Sequence, residues 1–486
     1  MIPLISPSVP AAELMSKAED SFIQRDKQPC PEQKQRFWRY LKRWPKPLLL
    51  LFLLALVIET ALAALAPTDV ARYECYGLTF WLGSRGAALL PQAQCAFLNL
   101  ATLGSQPAFH MLPLEYPPLT ILPFSLPLLF PLQYYAFIFM LLMAAVGGLI
   151  YWLLLRSGAW FSAPIFLLYL LLGAAAVAQQ RFDLLPAACT LICLLAAERW
   201  HWRTAYIALA IGVLLKFYPL VMLPPLFLAE QRAWFRQQEY LAPQGSWPRK
   251  AWINVKHWHW SNVLLFVGIV VAVMGGFALL NVQDALISPV KYFLLRPPEV
   301  ESLVSTVTWL GGSFGAPYAV NFAYGSLTME STLTHLISPV DTLLSVGSVL
   351  VVFWLHWRKR IDLSQALIGL LCVLMTTAKV FSPQYLIWLF PLLTYAYARG
   401  KTSRTWMYAW LVISVLTLVI YVGYYTQLID PLTDQIILLR LPGFFQLVAL
   451  RNLLMLIALF AFVFGWWGAR AVNKPDAWLQ QANSIE

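Results

Sequence analysis

The stretch Lys34-Gln-Arg-Phe-Trp-Arg-Tyr-Leu-Lys-Arg-Trp-Pro-Lys46 leads directly into an apolar run that extends to Ala66. It contains six basic side chains and no acidic one, with aromatic rings between them. Basic residues collect on the cytoplasmic side of a membrane helix and aromatic rings lie at headgroup level, so the pattern indicates the inner flank of a first span. Nucleic-acid binding is the alternative for such a stretch, but the adjoining apolar run favours the membrane. That run is too long for the apolar core of a cleaved signal peptide, so we expect an anchor.

The composition extends this interpretation to the whole chain of 486 residues. Hydrophobic residues make up 60% and charged residues 12%, whereas soluble proteins have about 45–50% and about 25%. Such a chain has too few polar groups to cover a water-facing surface, which excludes a soluble multidomain enzyme. The sequence has neither polar low-complexity tracts nor sustained heptads, which excludes disorder and coiled coil. It therefore predicts an all-α polytopic membrane protein.

The crossings can be placed because each needs about 20 apolar residues. Twelve segments meet or approach this length: 48–66, 134–155, 160–178, 184–198, 204–217, 219–229, 261–281, 341–357, 363–379, 384–398, 405–425 and 444–466. Basic connections, at 156, 198–203, 230–256, 358–360 and 399–404, alternate with less basic ones. About twelve crossings of the cell (plasma) membrane, with both termini in the cytoplasm, satisfy this alternation.

Two segments interrupt the regular pattern of spans. Pro117–Phe130 is apolar but short and contains four prolines, which remove backbone donors, and counting it as a crossing would reverse every basic loop that follows. We therefore expect a re-entrant or outer-leaflet helix packed against protein, where broken backbone is tolerated. The segments 204–217 and 219–229 are expected to be two half-depth helices that meet near Pro219.

The same alternation of charge divides the chain into parts. The predicted parts are a partly disordered cytoplasmic segment 1–46, a transmembrane module 47–230 with the outer loop 67–116, a basic cytoplasmic loop 231–260, a second module 261–468 with the outer loop 282–340, and a cytoplasmic tail 469–486. Both outer loops are long enough to be functional. Cys75 and Cys95 lie in the first of them and could form a disulfide in an oxidising compartment.

Ionisable and aromatic residues collect at the outer ends of the predicted segments. Asp69 lies at the end of the first span, where it is either a helix cap or a general base that takes a proton from a hydroxyl group. Three cations, Lys216, Arg296 and Lys379, approach the same face. Snorkelling explains each one singly, but charges at this depth are costly and tend to mark function. Further candidates for substrate binding at this face are Tyr73, Glu115, Tyr116, Arg181, Asp183, Tyr218, Glu301, Gln384 and Tyr385.

Three cations beside Asp69 and Asp183 favour a site that binds an anion. A lipid-linked phosphate fits, since its chain stays in the bilayer, its charge lies at the boundary, and Arg and Lys both bind phosphate. A phosphate that leaves a sugar carbon departs as an anion and needs cations, rather than the protonating carboxyl group of a glycosidase. One carboxylate as base and a group of cations are then sufficient. Motifs of nucleotide-binding loops, zinc proteases and serine hydrolases do not occur in the sequence.

At these residues the chain resembles the polyprenol-phosphate-dependent glycosyltransferases of the GT-C superfold, and most closely glycosyltransferase family 87, the polyprenyl-phosphate-mannose-dependent mannosyltransferases. The resemblance covers about residues 45–400 and is carried by Asp69…Tyr73, Tyr116-Pro-Pro-Leu119, Gln180…Asp183 with Lys216…Pro219, and Ser382-Pro-Gln-Tyr…Trp388…Pro391. It implies a GT-C-like helical bundle and an inverting reaction in which Asp69 deprotonates the acceptor hydroxyl. Lys216 and Arg296, with Lys379 as a further candidate, would hold the donor phosphate. Gln384 and Tyr385 stand where some members have a His-rich stretch, so the donor sugar, mannose or another hexose or pentose, is left open.

The sequence thus predicts an integral-membrane glycosyltransferase that acts at the extracytoplasmic face. Its expected partners are the lipid bilayer, a polyprenyl-phosphate-linked sugar donor and a glycan or glycolipid acceptor, and nucleic acid is not expected. No cofactor is required, because the cations supply positive charge; a divalent ion at Asp69 and Asp183 is the alternative. Two other functions stay open: a lipid-glycan transporter or flippase, whose charges should also line a path to the cytoplasmic leaflet, and a non-catalytic subunit of an envelope-glycan assembly complex.

Overall fold

A computed structural model describes residues 50, 53–58, 69–98, 107–157, 161–241, 258–425 and 442–465. Residues up to Leu54 form a separate unit, and the helices from Val70 onward and the β-hairpin belong to the unit Ala55–Glu486. The predicted segment 1–46, the tail 469–486, most of the first span and most of the basic loop lie outside the described residues. The predicted division of the chain into two modules stays a prediction.

The described chain is mostly helical, as its apolar composition predicts. The helices are α1 Val70–Leu82, α2 Ser84–Ala87, α3 Ile121–Ser125, α4 Tyr135–Arg156, α5 Ser162–Gly173, α6 Ala175–Ala178, α7 Leu184–Glu198, α8 Trp202–Leu215, α9 Leu223–Leu241, α10 Ser261–Leu280, α11 Ser288–Leu295, α12 Leu303–Gly312, α13 Thr332–Trp357, α14 Leu363–Thr377, α15 Tyr385–Ala398, α16 Arg404–Tyr424 and α17 Phe444–Val463. Short 3₁₀ helices at Gln92–Cys95, Pro118–Thr120, Leu126–Leu129, Leu132–Tyr134 and Tyr218–Met222, and a π-helical segment at Gln283–Ile287, lie between them.

Five of the described helices are long and apolar enough to cross a membrane. They are Leu132–Arg156, Ser261–Leu280, Thr332–Trp357, Arg404–Tyr424 and Phe444–Val463. The other apolar helices have 10–17 residues, so the expected number of about twelve crossings stays a prediction. Only 6% of the apolar window of α10 and 11% of that of α13 are buried, against 39% in the other three. The side chains of α10 and α13 are therefore largely left for contact with lipid.

Both interruptions that the prolines predict are present. The segment 118–129 is a broken helix in which 3₁₀ turns flank α3; α1 packs closely on it, since a Cβ at Gly77 would lie 2.9 Å from the carbonyl oxygen of Phe124. The second interruption follows α8, where Lys216 is extended with φ −157° and ψ 137° and a 3₁₀ helix carries Pro219 in its first turn. The depth of these segments in a membrane stays a prediction.

A β-hairpin lies in the segment 282–340, which the sequence predicts to be an outer loop, and it departs from the all-α expectation in an otherwise mostly helical described chain. β1 (Ala319–Ala323) pairs antiparallel with β2 (Ser326–Glu330), and the two residues between them, Tyr324 and Gly325, have positive φ of 53° and 71°, as a tight two-residue turn requires. The preceding segment joins β2, since Glu299 forms a bridge with Thr328. A hydrophobic cluster then anchors the hairpin to the ends of α16 and α17: Val300, Leu327, Met329, Ile420, Phe444, Phe445 and Val448.

The disulfide considered from the sequence is formed. Cys75 in α1 is joined to Cys95, twenty residues later. Next to this link, the side-chain amide of Gln94 donates to the carbonyl oxygen of Ala71 and to the carboxylate of Glu74, each at 2.9 Å. The chain that follows α1 is therefore fastened back onto the helix that begins directly after Asp69.

Candidate functional site

The predicted site residues are gathered because most of them lie at the ends of helices. Asp183 directly precedes α7 and Lys216 directly follows α8, and since these two helices are packed antiparallel, the two residues lie at the same end of the pair. Asp69 directly precedes α1, Arg296 directly follows α11, and Tyr385 is the first residue of α15. The contacts described below join these ends into one cluster of charged and aromatic side chains.

The pair of Asp183 and Lys216 forms the most deeply buried part of the cluster. The Lys216 Nζ lies 2.6 Å from Asp183 Oδ1, and their side chains are 13% and 1% exposed. The indole Nε1 of Trp388 donates to the same carboxylate oxygen at 2.5 Å. The other oxygen, Asp183 Oδ2, is buried and has no hydrogen-bond partner among the described residues. A buried acceptor of this kind costs about 1–3 kcal/mol unless a ligand or water supplies a donor.

Aromatic rings enclose the Lys216 ammonium. Its Nζ lies between 5.0 and 5.9 Å from four ring centroids, those of Tyr116, Phe182, Tyr385 and Trp388. Tyr218 and Tyr385 stack on Trp388 at centroid distances of 4.0 and 4.2 Å. Cation–π contacts contribute about 2 kcal/mol or more when the cation is desolvated. Lys216 is therefore held by an aromatic enclosure as well as by its carboxylate partner.

Asp69 forms an ion pair instead of capping a helix. Although Asp69 precedes α1, its side chain makes no capping hydrogen bond, so the capping alternative is wrong. Its Oδ2 lies 2.9 Å from a terminal nitrogen of Arg181, with the two side chains 18% and 19% exposed. Tyr73, one turn into α1, packs on Phe124 at a centroid distance of 4.3 Å and is buried. Asp69 is thus held in place while part of its carboxylate stays accessible.

Within the described residues, Arg296 is the cation of the cluster that forms no ion pair with a carboxylate. Among the described residues, Arg72, Arg181 and Lys216 each form an ion pair, with Glu115, Asp69 and Asp183 respectively. Arg296 forms none in this part of the chain, and its guanidinium donates to the hydroxyl of Ser326 at 2.7 Å. Of these four cations, Arg296 is therefore the one best able to form an ion pair with a bound anionic ligand.

Lys379 and Glu301, two of the predicted site residues, interact with residues outside this cluster. The charge of Lys379 acts on Asp341 in α13, and its backbone carbonyl accepts from the amide of Glu299 at 2.8 Å. Glu301 forms a buried ion pair with Arg451 of α17, whose guanidinium also donates to the Glu301 carbonyl oxygen at 2.7 Å. We therefore interpret Glu301 as a residue that joins the outer loop to α17.

Glu299 is the acidic residue of this segment that faces the cluster. It is buried, and its Oε2 has no hydrogen-bond partner in the described part of the chain. Burial raises the pKa of Glu299 to about 8, although the nearby charges of Arg296 and Arg181 act to lower it. Burial therefore opposes ionisation of the Glu299 carboxyl beside Arg296.

The remaining predicted residues lie within the cluster or at its edge. Gln384 is buried beside Tyr385, and none of the described residues forms a hydrogen bond with its Oε1. Glu115 accepts from Arg72 at 2.9 Å, while Tyr116 contacts Phe182 at a centroid distance of 4.9 Å. No three His, Cys, Asp or Glu side chains gather as metal ligands in the described ranges, and the two carboxylates considered for a divalent ion are each bound to a cation.

The sequence analysis did not select three charged residues that lie in or next to the cluster. Arg72 follows Asp69 by three residues in the same predicted outer loop, so it could have been singled out on the same ground as Lys216 and Arg296. Arg451 is a single arginine within the apolar helix α17, which is by itself a signal for a buried pair. Glu299 had no signal that separates it from Glu301.

The comparisons with known proteins are sparse. No family model matches the chain, and no curated protein matches it. A solved structure that matches is ArnT from Cupriavidus metallidurans, a crystal structure bound to undecaprenyl phosphate; the identity is 13%, and the match covers 86% of this chain and 76% of that chain with a TM-score of 0.39. A likeness at this level establishes neither fold nor function, so the assignment of a function rests on the residues of this chain.

Proposed function

We propose that the protein is an integral-membrane, GT-C-type glycosyltransferase that transfers a sugar from a polyprenyl-phosphate donor to a glycan or glycolipid acceptor, with inversion at the sugar carbon. The observation that carries this proposal is the cluster at the helix ends. It combines a held but accessible carboxylate, Asp69, with a cation, Arg296, that forms no ion pair in the described part of the chain. The apolar helices of the protein suit a lipid substrate.

Asp69 is better placed than Asp183 for the role of general base. Asp183 is almost fully buried and already bound to Lys216 and Trp388, whereas the Asp69 side chain is 18% exposed. In the proposed step the acceptor oxygen forms a bond to the anomeric carbon as its proton passes to Asp69. The bond from that carbon to the phosphate oxygen breaks, and its electron pair stays on the lipid phosphate.

The leaving phosphate gains negative charge in this step and needs fixed cations. Arg296 can offer a bidentate contact to phosphate. Lys216 donates one hydrogen bond, to Asp183, and since an ammonium has three N–H groups it can also serve a phosphate oxygen. Cations already in place stabilise the developing charge without reorganisation. We assign Lys379 no direct contact, because its charge acts on Asp341 of α13.

A sugar would satisfy the buried acceptor atoms of the cluster. Asp183 Oδ2 and Gln384 Oε1 have no hydrogen-bond partner, and sugar hydroxyl groups are donors. The stacked rings of Tyr218, Trp388 and Tyr385 offer an apolar wall for the carbon skeleton. These features support a sugar in general, so mannose and other hexoses or pentoses are all tested below.

The disulfide supports an extracytoplasmic position of the cluster. Disulfides form and persist in oxidising compartments and are rare in the cytosol. The Cys75–Cys95 link lies on α1, the helix that begins directly after Asp69, and both therefore face the same side of the membrane.

The experiment is sugar transfer by the purified full-length protein from polyprenyl-phosphate donors carrying mannose, glucose or a pentose. Asp69→Asn should lower the rate about 10²–10⁴-fold, the usual contribution of a general base. The matched control is Asp362→Asn at the start of α14, where Asn can still accept the capping bond from the Gln365 amide; its activity should equal that of the wild type. Wild-type turnover by well-folded Asp69→Asn protein refutes the assignment of the base, and absence of turnover with every donor favours the transporter or subunit alternatives.

A further inference from the structure

Glu299 is held more rigidly by its backbone than its place in a long outer loop would suggest. Its amide donates to the carbonyl oxygen of Lys379 at 2.8 Å, and its carbonyl oxygen accepts from the Ser302 amide at 2.9 Å and from the Ser305 hydroxyl at 2.7 Å. It also forms a bridge with Thr328 in β2. Three neighbouring parts of the chain therefore fix the position of Glu299, although its own carboxyl oxygen Oε2 is left without a partner.

The charges around Glu299 cancel in pairs, with one exception. The ionisable groups that interact electrostatically with the Glu299 carboxyl are Arg296, Arg181, Arg451, Glu301, Tyr385 and Tyr425. Arg451 is paired with Glu301, and Arg181 with Asp69. Arg296 forms no ion pair among the described residues, so the protonation state of Glu299 decides whether this corner of the cluster carries one positive charge or none.

We propose that Glu299 binds the lipid-linked donor as a neutral carboxylic acid, donating a hydrogen bond to the phosphate group and leaving the charge of Arg296 for that anion. The inference rests on the proposed function for the identity of the donor. A phosphodiester carries one negative charge, which matches the single positive charge left at Arg296. An ionised Glu299 would instead cancel Arg296 and place a second anion beside the phosphate, so deprotonation of Glu299 opposes binding.

The sign of the pH dependence follows from this arrangement. Burial raises the pKa of Glu299 to about 8, so the binding-competent neutral form dominates below that value and is lost as the pH rises through it. The apparent dissociation constant increases in inverse proportion to the competent fraction. Donor binding should therefore be about tenfold weaker at pH 9 than at pH 7.

The test uses a short-chain prenyl methyl phosphodiester, whose single charge is constant over this range, and measures its dissociation constant with the full-length protein in lipid nanodiscs. Glu299→Gln, which imitates the neutral acid, should bind with little change between the two pH values. The matched control is Glu74→Gln: the pKa of Glu74 is likewise raised by burial, but it bonds to Gln94 outside the cluster, so this variant should keep the wild-type pH dependence. The corresponding prenyl alcohol, which has no charge, should bind independently of pH.

Two results would overturn the inference: a wild-type dissociation constant that does not change with pH, or a Glu299→Gln protein that keeps the wild-type change. The first needs no variant and so stands even where Glu299→Gln fails to fold. The inference and the proposed function fail separately. Sugar transfer by a wild type whose phosphodiester binding ignores pH refutes only the role of Glu299, whereas Glu299-dependent binding without any sugar transfer refutes only the enzymatic function.

Discussion

Removal of the Lys216 ammonium tests whether the centre of the cluster is as desolvated as the structure indicates. Lys216→Met keeps the apolar stem among the aromatic rings but leaves the Asp183 carboxylate, 1% exposed, with Trp388 as its hydrogen-bond donor. Breaking a buried ion pair by removing one partner costs about 3–5 kcal/mol. Since Lys216 is itself 13% exposed, we expect the lower end of that range, about 3 kcal/mol.

A double variant separates the charge from the shape. In Lys216→Met/Asp183→Asn the amide oxygen of the new Asn can still accept from Trp388, and no buried charge remains. We expect this protein to recover to within about 1.5 kcal/mol of the wild type, which gives a coupling energy of about 1.5 kcal/mol or more between the two positions. The free energy of unfolding is measured by reversible denaturation in mixed micelles for the wild type, both single variants and the double variant.

The refuting results are specific. A cost below about 1 kcal/mol for Lys216→Met, the value of an exposed pair, would show that the pair is not desolvated. A double variant no more stable than Lys216→Met would show that the cost comes from packing rather than from the unpaired carboxylate. If the recovered double variant folds but does not transfer sugar, the ammonium is needed for the reaction in addition to its structural role.

Three further predictions concern the walls of the site. Arg296→Gln should raise the KM for the donor about 10–100-fold, as expected for the loss of charge-assisted hydrogen bonds of about 1.5–3 kcal/mol, while Lys379→Gln should leave it unchanged in the same initial-rate assay. Cys75→Ser should lower the free energy of unfolding by about 2–4 kcal/mol, and a reductant should have the same effect on the wild type but none on the variant. Gly325→Val should lower activity, because this position has φ +71° and its Cβ would lie 2.7 Å from the guanidinium of Arg72, which pairs with Glu115. Gly315→Val, with φ +88° and no atom within 4 Å, should reproduce the backbone strain and keep the activity.

Features of the fold could be predicted from the sequence wherever they depend on one segment or on segments that are neighbours along the chain. Asp183 and Lys216 could be placed together because two short apolar segments joined by a basic turn must run antiparallel, which brings the start of one beside the end of the other. The breaks around Pro123 and Pro219 followed from the missing backbone donors. The Cys75–Cys95 link could be considered because both residues lie in one outer loop.

The partners of the charged residues could not be predicted in the same way. Glu299 and Glu301 are two residues apart in an equally polar stretch, but the chain turns directly after Glu299, which takes Glu301 to Arg451 and leaves Glu299 at the cluster. That turn depends on pairing with β2, a contact between segments that no local pattern encodes. The ion pair of Asp69 with Arg181 is likewise a product of packing, since more than one cation lay within reach of each acid on the predicted face.

The two barely buried helices α10 and α13 imply a dependence on the lipid around the protein. α10 has 20 residues and is about 30 Å long, and α13 has 26 and is about 39 Å long. A bilayer with a hydrocarbon core of about 30 Å matches α10 when it is upright, whereas α13 must incline or extend beyond the core. Thinner or thicker membranes should therefore change the inclination of α13 relative to α10, and because α13 continues directly from β2, the acyl-chain length of the host lipid becomes a variable that reaches the hairpin beside Arg296.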